Sequence, residues 1–262
     1  MSKKNKNPPA PVAGNRGIIA GILVLVVILA IIAILLSTGN AGNTTPTPVT
    51  TPRVTTPPTP APEPVKSARP SVELFIMSFC PYGVQAENVM SPVVDLLGSK
   101  ADIQIRFIAT VNGDTADAVR SLHGLNEAKE DLRQLCIMQS DPDKYWDYLD
   151  LFNAQCYPVW QNATRLEACG KNLTAMLGMD NQKIETCAIA GEGLALLRAD
   201  EAITKNLKVT GSPTLFINGQ KYSGQRTPEA FKQAICARFE TPPDECGTDL
   251  SAQVVAAGSG SC

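Results

Sequence analysis

The stretch that decides the fold is VELFIMSFCPYG, residues 72–83. An apolar, β-prone run ends at Cys80, and Pro81 opens a helix-forming segment. Proline suits the first position of a helix because its missing N–H would have no partner there. The pattern therefore predicts a strand over 71–79 and a helix over 81–97, with Cys80 at the helix start.

The position of Cys80 favours thiol chemistry. The macrodipole and the free N–H groups at a helix N-terminus stabilise a thiolate over a thiol. The thiolate is the nucleophile in thiol–disulfide exchange. The alternative interpretation is that Cys80 is a small buried apolar residue or one half of a structural disulfide. The order strand, cysteine, proline, helix favours the reactive cysteine.

A second segment, VTGSPTLFINGQKY over residues 209–222, predicts a turn and two strands joined by an Asn-Gly hairpin turn. The strands are expected near 214–218 and 220–223. Pro213 stands at the mouth of the first strand, where proline is tolerated. Its bond to Ser212 is a candidate cis peptide.

A Cys-Pro helix start followed far downstream by a Ser-Pro-Thr strand start resembles the thioredoxin superfamily. The resemblance implies that the loop at Pro213 faces Cys80, so these two residues are the expected catalytic pair. It also implies that the flanking backbone binds an extended substrate as an added strand. The expected substrate-binding residues are Pro81, Tyr82, Ser212 and Thr214.

The middle of the chain predicts a helical insertion. Residues 102–108 alternate polar and apolar side chains like a half-buried strand. Residues 114–206 contain little proline and are rich in helix formers, and Thr227-Pro228 has the pattern of a further helix start. The expected fold over 70–240 is therefore α/β, a thioredoxin-like fold with an inserted helical subdomain.

Two finer expectations concern the helices. Pro92 falls inside the first helix and predicts a kink or break near Ser91. A cluster of charges in the insert predicts a solvated helix face. Its members are Lys129, Glu130, Asp131 and Arg133.

The N-terminal part predicts a membrane anchor. Residues 1–16 carry only positive charges, and 17–36 form an uninterrupted apolar run about as long as a bilayer core requires. A cleavable signal peptide has a shorter apolar region, of about 7–15 residues. We therefore expect a retained transmembrane helix over 17–37, with a cytoplasmic stub and an exported remainder. Ala41-Gly42 leaves cleavage open.

Two further segments are expected to lie outside the folded domain. Residues 38–69 repeat threonine and proline, which predicts a disordered, extended linker. Residues 241–262 are rich in glycine, serine and alanine, which predicts a flexible tail that carries two cysteines.

The chain has eight cysteines, all after the apolar run, which fits an oxidising compartment. The expected members of structural disulfides are Cys136, Cys156, Cys169, Cys187 and Cys236, with Cys156 and Cys169 as the favoured pair on proximity in sequence. If Cys80 is free, at least one other cysteine must also be free. Otherwise Cys80 is bridged to a resolving partner.

The composition argues against several other classes of function. A single histidine and the lack of a Cys-x-x-Cys pair make a zinc site unexpected, and we expect no cofactor. The slightly negative net charge, without a phosphate-binding glycine loop or a basic patch, argues against nucleic acid as a partner. His123 is expected to be structural.

The insert also resembles the gamma-interferon-inducible lysosomal thiol reductase family over residues 72–238. The segments that carry the resemblance are Leu122-His123-Gly124, Cys136, Cys156, Cys169, Glu185-Thr186-Cys187-Ala188, Gly193 and Cys236. DsbA-like proteins share a helical insert at the same place. Both families have a Cys-x-x-Cys site, whereas Gly83 stands at the second cysteine position here. Cys80 is therefore expected to attack a disulfide without a local cysteine to resolve the adduct.

Two functions remain open at this point. The first is a membrane-anchored, extracytoplasmic thiol–disulfide oxidoreductase that acts on exported cysteine-containing proteins through Cys80. Its adduct would be resolved by an external thiol, a membrane redox partner, Cys136 or a tail cysteine. The second is a redox-inactive peptide-binding or chaperone module, which Gly83 favours. The thiol at a helix start favours the enzyme.

Overall fold

The computed structural model describes residues 64–253 and 260–262. The strands are β1 (Ser71–Ile76), β2 (Asp102–Phe107), β3 (Thr110–Val111), β4 (Val119–Arg120), β5 (Thr214–Ile217) and β6 (Gln220–Lys221). The helices are α1 (Pro81–Leu97), α2 (Leu125–Ser140), α3 (Tyr145–Leu151), α4 (Ala163–Met176), α5 (Asn181–Ile189), α6 (Glu192–Asn206) and α7 (Pro228–Cys236). The predicted α/β order, with a helical insert between two halves of a sheet, is confirmed.

The expected anchor over 17–37 lies outside the described residues, as do the stub and the linker up to residue 63. Within 64–253 and 260–262, no helix combines the length and apolar character needed to cross a bilayer. The end of the expected linker is folded, because Ser67 pairs with Phe239 and the side-chain amide of Asn218 donates to the Val65 carbonyl.

The main sheet has the strand order β2-β1-β5-β6. β1 runs parallel to β2, with Ile76 opposite Phe107, and antiparallel to β5, with Phe75 opposite Thr214. Because β5 runs opposite to β1, the start of β5 lies beside the end of β1. This topology brings the loop before α1 next to residues 211–213.

β1 and α1 each differ in one respect from the sequence-based expectation: β1 ends earlier, and α1 is not broken at Pro92. β1 stops at Ile76 instead of continuing to residue 79, because the next four residues form a turn in which the Cys80 amide donates to the Met77 carbonyl. α1 continues through Pro92 without a break. The Ser91 hydroxyl donates to Asp150 at 2.6 Å, which ties this turn of α1 to α3.

The charged cluster of α2 is a correction to the sequence analysis. Only Lys129 is exposed, while Glu130, Asp131 and Arg133 are buried. α2 packs against α5, α6 and α3, so its charged side chains face protein instead of water. Arg133 compensates Glu130 and Glu167, with nitrogen–oxygen distances of 3.3 and 2.5 Å.

Three disulfides stabilise the insert and the end of α7. Cys136 in α2 is joined to Cys187 in α5, and Cys156 is joined to Cys169 in α4. The third bridge joins Cys236, the last residue of α7, to Cys246 in the segment that follows it.

The expectation of a flexible tail over 241–262 is therefore corrected for the described residues. Cys246 lies in a 3₁₀ turn over Asp244–Gly247 that the disulfide holds at the end of α7. Leu250 is buried in the core, and its amide donates to Glu229 at 2.7 Å. The composition of the tail predicted flexibility because composition does not show that a cysteine is bridged or that a single apolar residue is buried in the core.

Candidate active site

Cys80 is the N-cap residue of α1, and Pro81 is the first helical residue. The Cys80 carbonyl accepts the first intrahelical bond, from the Val84 amide at 3.0 Å. The first turn of α1 contains no acidic side chain. No carboxylate of this turn therefore offsets the stabilisation that the positive end of the helix macrodipole gives to a thiolate at Cys80.

Cys80 forms a disulfide with Cys262, which lies 182 residues away in the sequence. The bond between Ser212 and Pro213 is cis, and the Cys80 sulfur lies 3.5 Å from the Ser212 carbonyl oxygen. The loop that contains Pro213 therefore faces the sulfur. This arrangement places the two expected catalytic residues in one site.

Cys262 and Ser212 also exchange both backbone hydrogen bonds. The Cys262 amide donates to the Ser212 carbonyl at 2.9 Å, and the Ser212 amide donates to the Cys262 carbonyl at 3.4 Å. Two such bonds between one pair of residues are the pattern of an antiparallel strand pair. The segment 260–262 thus lies where the family resemblance places an added substrate strand.

Gly260 and Tyr82 form the other end of this contact. Gly260 has a φ of +136°, and a Cβ atom at this position would overlap the ring of Tyr82. The Arg226 guanidinium donates to the Gly260 carbonyl at 2.6 Å. A glycine is required here both by its backbone conformation and by the close approach of the aromatic ring.

Buried carboxylates hold the loop between β1 and α1. The Ser78 hydroxyl donates to Asp131 at 2.6 Å, and the Phe79 amide donates to Glu127 at 2.7 Å. Glu127 also lies 2.8 Å from His123 Nδ1. His123 is therefore linked to the loop before Cys80 through one carboxylate, which agrees with a structural role.

Burial shifts the titration of two acids near this loop. It raises the pKa of Glu87 to about 8, against a hydrogen bond from Asn153 that lowers the pKa. It also raises the pKa of Asp131 well above its usual range, with the nearby Glu127 adding to the shift and the Ser78 hydroxyl opposing it. One oxygen of Glu87 and one of Asp131 have no hydrogen-bond partner among the described residues.

Residues 104–236 match the family model described as the vacuolar sorting receptor thioredoxin-like domain. The chain belongs to this family. The match includes the helical insert and Pro213, and it begins after Cys80. No curated protein matches the chain in sequence.

Solved structures show the same fold. Oxidised DsbA from Mtb superposes with a TM-score of 0.50 at 14% sequence identity, over 70% of this chain and 95% of that chain. MdbA, a thiol-disulfide oxidoreductase from Actinomyces oris, gives a TM-score of 0.50 at 12% identity, over 66% of this chain and 83% of that one. The thioredoxin-like domain described here therefore has a DsbA-like fold.

The expected substrate-binding residues of this thioredoxin-like domain lie around the disulfide with different exposures. Pro81 is exposed, Tyr82 is half-buried against Gly260, and Ser212 is buried with its hydroxyl accepting from Met77. Thr214 is buried, and its hydroxyl donates to the Gly211 carbonyl. Ser212 and Tyr82 contact the tail, whereas Thr214 braces the loop internally.

Cys80 is completely buried in this disulfide form. Cys262 covers it and is itself only half-buried. Reaction at the Cys80 sulfur therefore requires the tail to leave, which becomes possible when the Cys80–Cys262 bond is reduced and only non-covalent contacts hold residues 260–262.

Sequence reasoning did not assign roles to several residues of the site. They are Ser78, Glu127, Arg226 and Gly260, whereas Asp131 was expected on a solvated helix face. For the partner of Cys80, the sequence left Cys136 and the two tail cysteines open, and the structure joins Cys80 to Cys262.

Proposed function

We propose that this protein is a thiol–disulfide oxidoreductase in which Cys80 and Cys262 form the redox-active pair. The observation that carries the proposal is the disulfide between these residues, at a helix N-terminus and against the cis-proline loop. A bridge that served only stability would not need both of these features. The DsbA-like fold supports the same class of activity.

The reaction begins from the reduced pair. The Cys80 thiolate attacks one sulfur of a substrate disulfide, a Cys80–substrate bond forms, and the second substrate sulfur leaves as a thiolate that takes a proton from solvent. The Cys262 thiolate then attacks the Cys80 sulfur and releases the first substrate sulfur. Two electrons have passed to the substrate, and the Cys80–Cys262 disulfide remains. Oxidation of a substrate dithiol would begin instead at the half-buried Cys262 sulfur, with Cys80 leaving as a thiolate. The second substrate thiolate would then attack the substrate sulfur bound to Cys262, form the substrate disulfide and release Cys262.

Cys262 takes over the role that the second cysteine has in a Cys-x-x-Cys site. Gly83 occupies that second position, and a side chain there would collide with the loop that contains Ser212. The resolving thiol therefore comes from another part of the chain. A dithiol of a partner protein would return the pair to its reduced state after each cycle.

The test is to trap the intermediate. The Cys262→Ala variant, reduced and mixed with a protein disulfide, is expected to accumulate a mixed disulfide at Cys80, because the resolving thiol is missing. Cys80→Ala should form no adduct. The Cys136→Ala/Cys187→Ala variant lacks a bridge inside the insert and should turn over without accumulating an adduct. Failure of Cys262→Ala to trap any substrate would contradict the proposal.

One observation favours the second candidate, a redox-inactive peptide-binding module. Residues 260–262 occupy the groove as a bound peptide would, and Cys80 is closed to solvent. In that case a Cys80→Ala/Cys262→Ala variant should bind unfolded polypeptides as well as the parent protein does. Loss of substrate capture in that variant, with the fold intact, would favour the enzyme.

We further propose that the protein is anchored by residues 17–36 with its cytoplasmic stub at 1–16, and that its substrates are exported proteins. The apolar run and the positive residues before it support this placement. Membrane partners able to exchange disulfides would then regenerate the pair. A kinship with the gamma-interferon-inducible lysosomal thiol reductases rests on the spacing in the insert alone. Protease protection of the stub in sealed vesicles tests the topology.

A further inference from the structure

The pairing of Cys262 with Ser212 fixes the direction in which a polypeptide crosses the site. In an antiparallel pair, a chain that continues past the position of Cys262 runs alongside Gly211 and then Thr210. Gly211 already lies against the end of the tail, because a Cβ atom on it would lie 2.9 Å from the Cys262 carbonyl oxygen and 2.5 Å from the Ser261 hydroxyl oxygen. Gly260 lies on the opposite side, against Tyr82 and Arg226.

A cavity of about 360 Å³ lies on the side toward which such a chain would run. Thr210 lines it, together with Met77, Ala109, Val209 and Leu122. Met77, Ala109 and Val209 are buried aliphatic residues that form an apolar surface. Leu122 is 63% exposed and leaves much of its side chain uncovered. Residues that follow a bound cysteine would reach this cavity within about two positions, since each residue of a strand advances about 3.3 Å.

Two polar residues of the cavity, Glu201 and Lys205, pair with each other, whereas the buried Thr204 hydroxyl has no hydrogen-bond partner among the described residues. Glu201 pairs with Lys205 at 2.6 Å and accepts from the Val111 amide at 3.3 Å. Arg120 has no carboxylate partner among the described residues, and its guanidinium donates only to the Asp117 carbonyl. The remaining positive charge disfavours a basic side chain, and the aliphatic surface favours an apolar one.

We propose that this cavity binds an apolar side chain that follows the reactive cysteine of a substrate polypeptide. The proposal rests on the proposed function, since it places the substrate cysteine where Cys262 lies in the structure. The substrate class is therefore an extended polypeptide segment with a leucine-like residue two positions after the cysteine. The tail residues 260–262 occupy the positions of the cysteine and of the two residues before it, so they do not reach the cavity.

The experiment uses the full chain with the Cys262→Ala substitution, reduced at Cys80. Two peptides, Gly-Ser-Cys-Gly-Leu and Gly-Ser-Cys-Gly-Gly, each carry thionitrobenzoate as a mixed disulfide on the cysteine. The Cys80 thiolate attacks the peptide sulfur and thionitrobenzoate leaves as a coloured thiolate, so bond formation is followed directly. The leucine peptide is expected to react about tenfold faster at limiting concentration, as burial of one aliphatic side chain allows.

A matched pair of variants locates the effect. Leu122→Asp should remove the preference, so that the ratio of the leucine-peptide rate to the glycine-peptide rate falls to about one. Ile189→Asp alters a residue that is 76% exposed at the end of α5, outside the cavity, and should keep the preference.

The outcomes separate this inference from the function on which it rests. Equal rates for the two peptides, or a preference that survives Leu122→Asp, would overturn the cavity assignment while Cys80 remains reactive. If neither peptide reacts in folded Cys262→Ala protein, the proposed function fails, and the cavity assignment fails with it.

Discussion

Gly83 and Ser212 approach so closely that no side chain fits between them: a Cβ atom at position 83 would lie 2.7 Å from the Ser212 Oγ. The same Oγ accepts a hydrogen bond from the Met77 amide at 2.9 Å. The absence of a side chain at Gly83 thus leaves room for the hydroxyl that ties the cis-proline loop to the turn before Cys80.

Gly83→Ala is expected to destabilise the protein by about 1–3 kcal/mol, the usual range for overpacking a filled site. In an unobstructed helix the same change stabilises, because glycine is a poor helix former. Gly247→Ala is the control, since a Cβ atom there would meet no other atom within 4 Å. Urea titrations of both variants measure the difference. Equal stability of Gly83→Ala and the parent would contradict the contact.

Gly260→Ala is expected to make the Cys80–Cys262 bridge easier to reduce. The substitution places a side chain against the Tyr82 ring at a φ of +136°, which weakens the contact of residues 260–262 with the site. A cost of ~1.4 kcal/mol is within the range for such a strained position and shifts the equilibrium constant against glutathione about tenfold. Gln253→Ala, at an exposed tail position, should leave the constant unchanged.

Glu87→Gln should flatten the pH dependence of stability. Burial raises the pKa of Glu87 from 4.5 to about 8, so between these pH values the folded protein holds a proton that the unfolded chain releases. The free energy of unfolding therefore falls as pH rises through this window, by at most about 1.4 kcal/mol per pH unit from this group. Thermal unfolding at pH 5 to 8, with exposed Asp95→Asn of α1 as control, measures the slope. An unchanged slope in Glu87→Gln would count against the shift.

Arg133→Met is expected to cost about 3–5 kcal/mol, because it leaves Glu130 buried without its cation. Adding Glu130→Gln should recover part of this loss, since the uncompensated carboxylate is then gone. Arg198→Met is the matched control: its side chain is 43% exposed and its partner Asp114 is 96% exposed, so stability should change little. A double-mutant cycle by chemical denaturation shows whether the two substitutions interact.

The parts of the fold that the sequence predicts are those with local signals. Pro81 marks the start of α1 and Thr227 that of α7, where the threonine hydroxyl accepts from the Ala230 amide. Each signal lies within a few residues of the feature that it specifies. The strand that ends before Cys80 and the turn before Thr214 are likewise predicted from residues within or next to them.

The remaining features depend on contacts between distant residues. Nothing near Cys262 in sequence indicates that it pairs with Cys80, 182 residues away. Asp131 and Glu130 were expected to face water because they are charged. In the structure Asp131 accepts from the Ser78 hydroxyl and Glu130 pairs with Arg133, and charge alone does not predict such partners. Only the packing of α2 against its neighbours decides this.

The most direct test of the central claim is a map of the disulfides during stepwise reduction of the full chain. Non-reducing digestion and mass spectrometry should show a peptide with Cys80 joined to one with Cys262. On mild reduction this bridge should open first, while the pair Cys136–Cys187 and the other two structural bridges persist. A Cys80 joined to a different cysteine, or a Cys80–Cys262 bridge that opens last, would contradict the account.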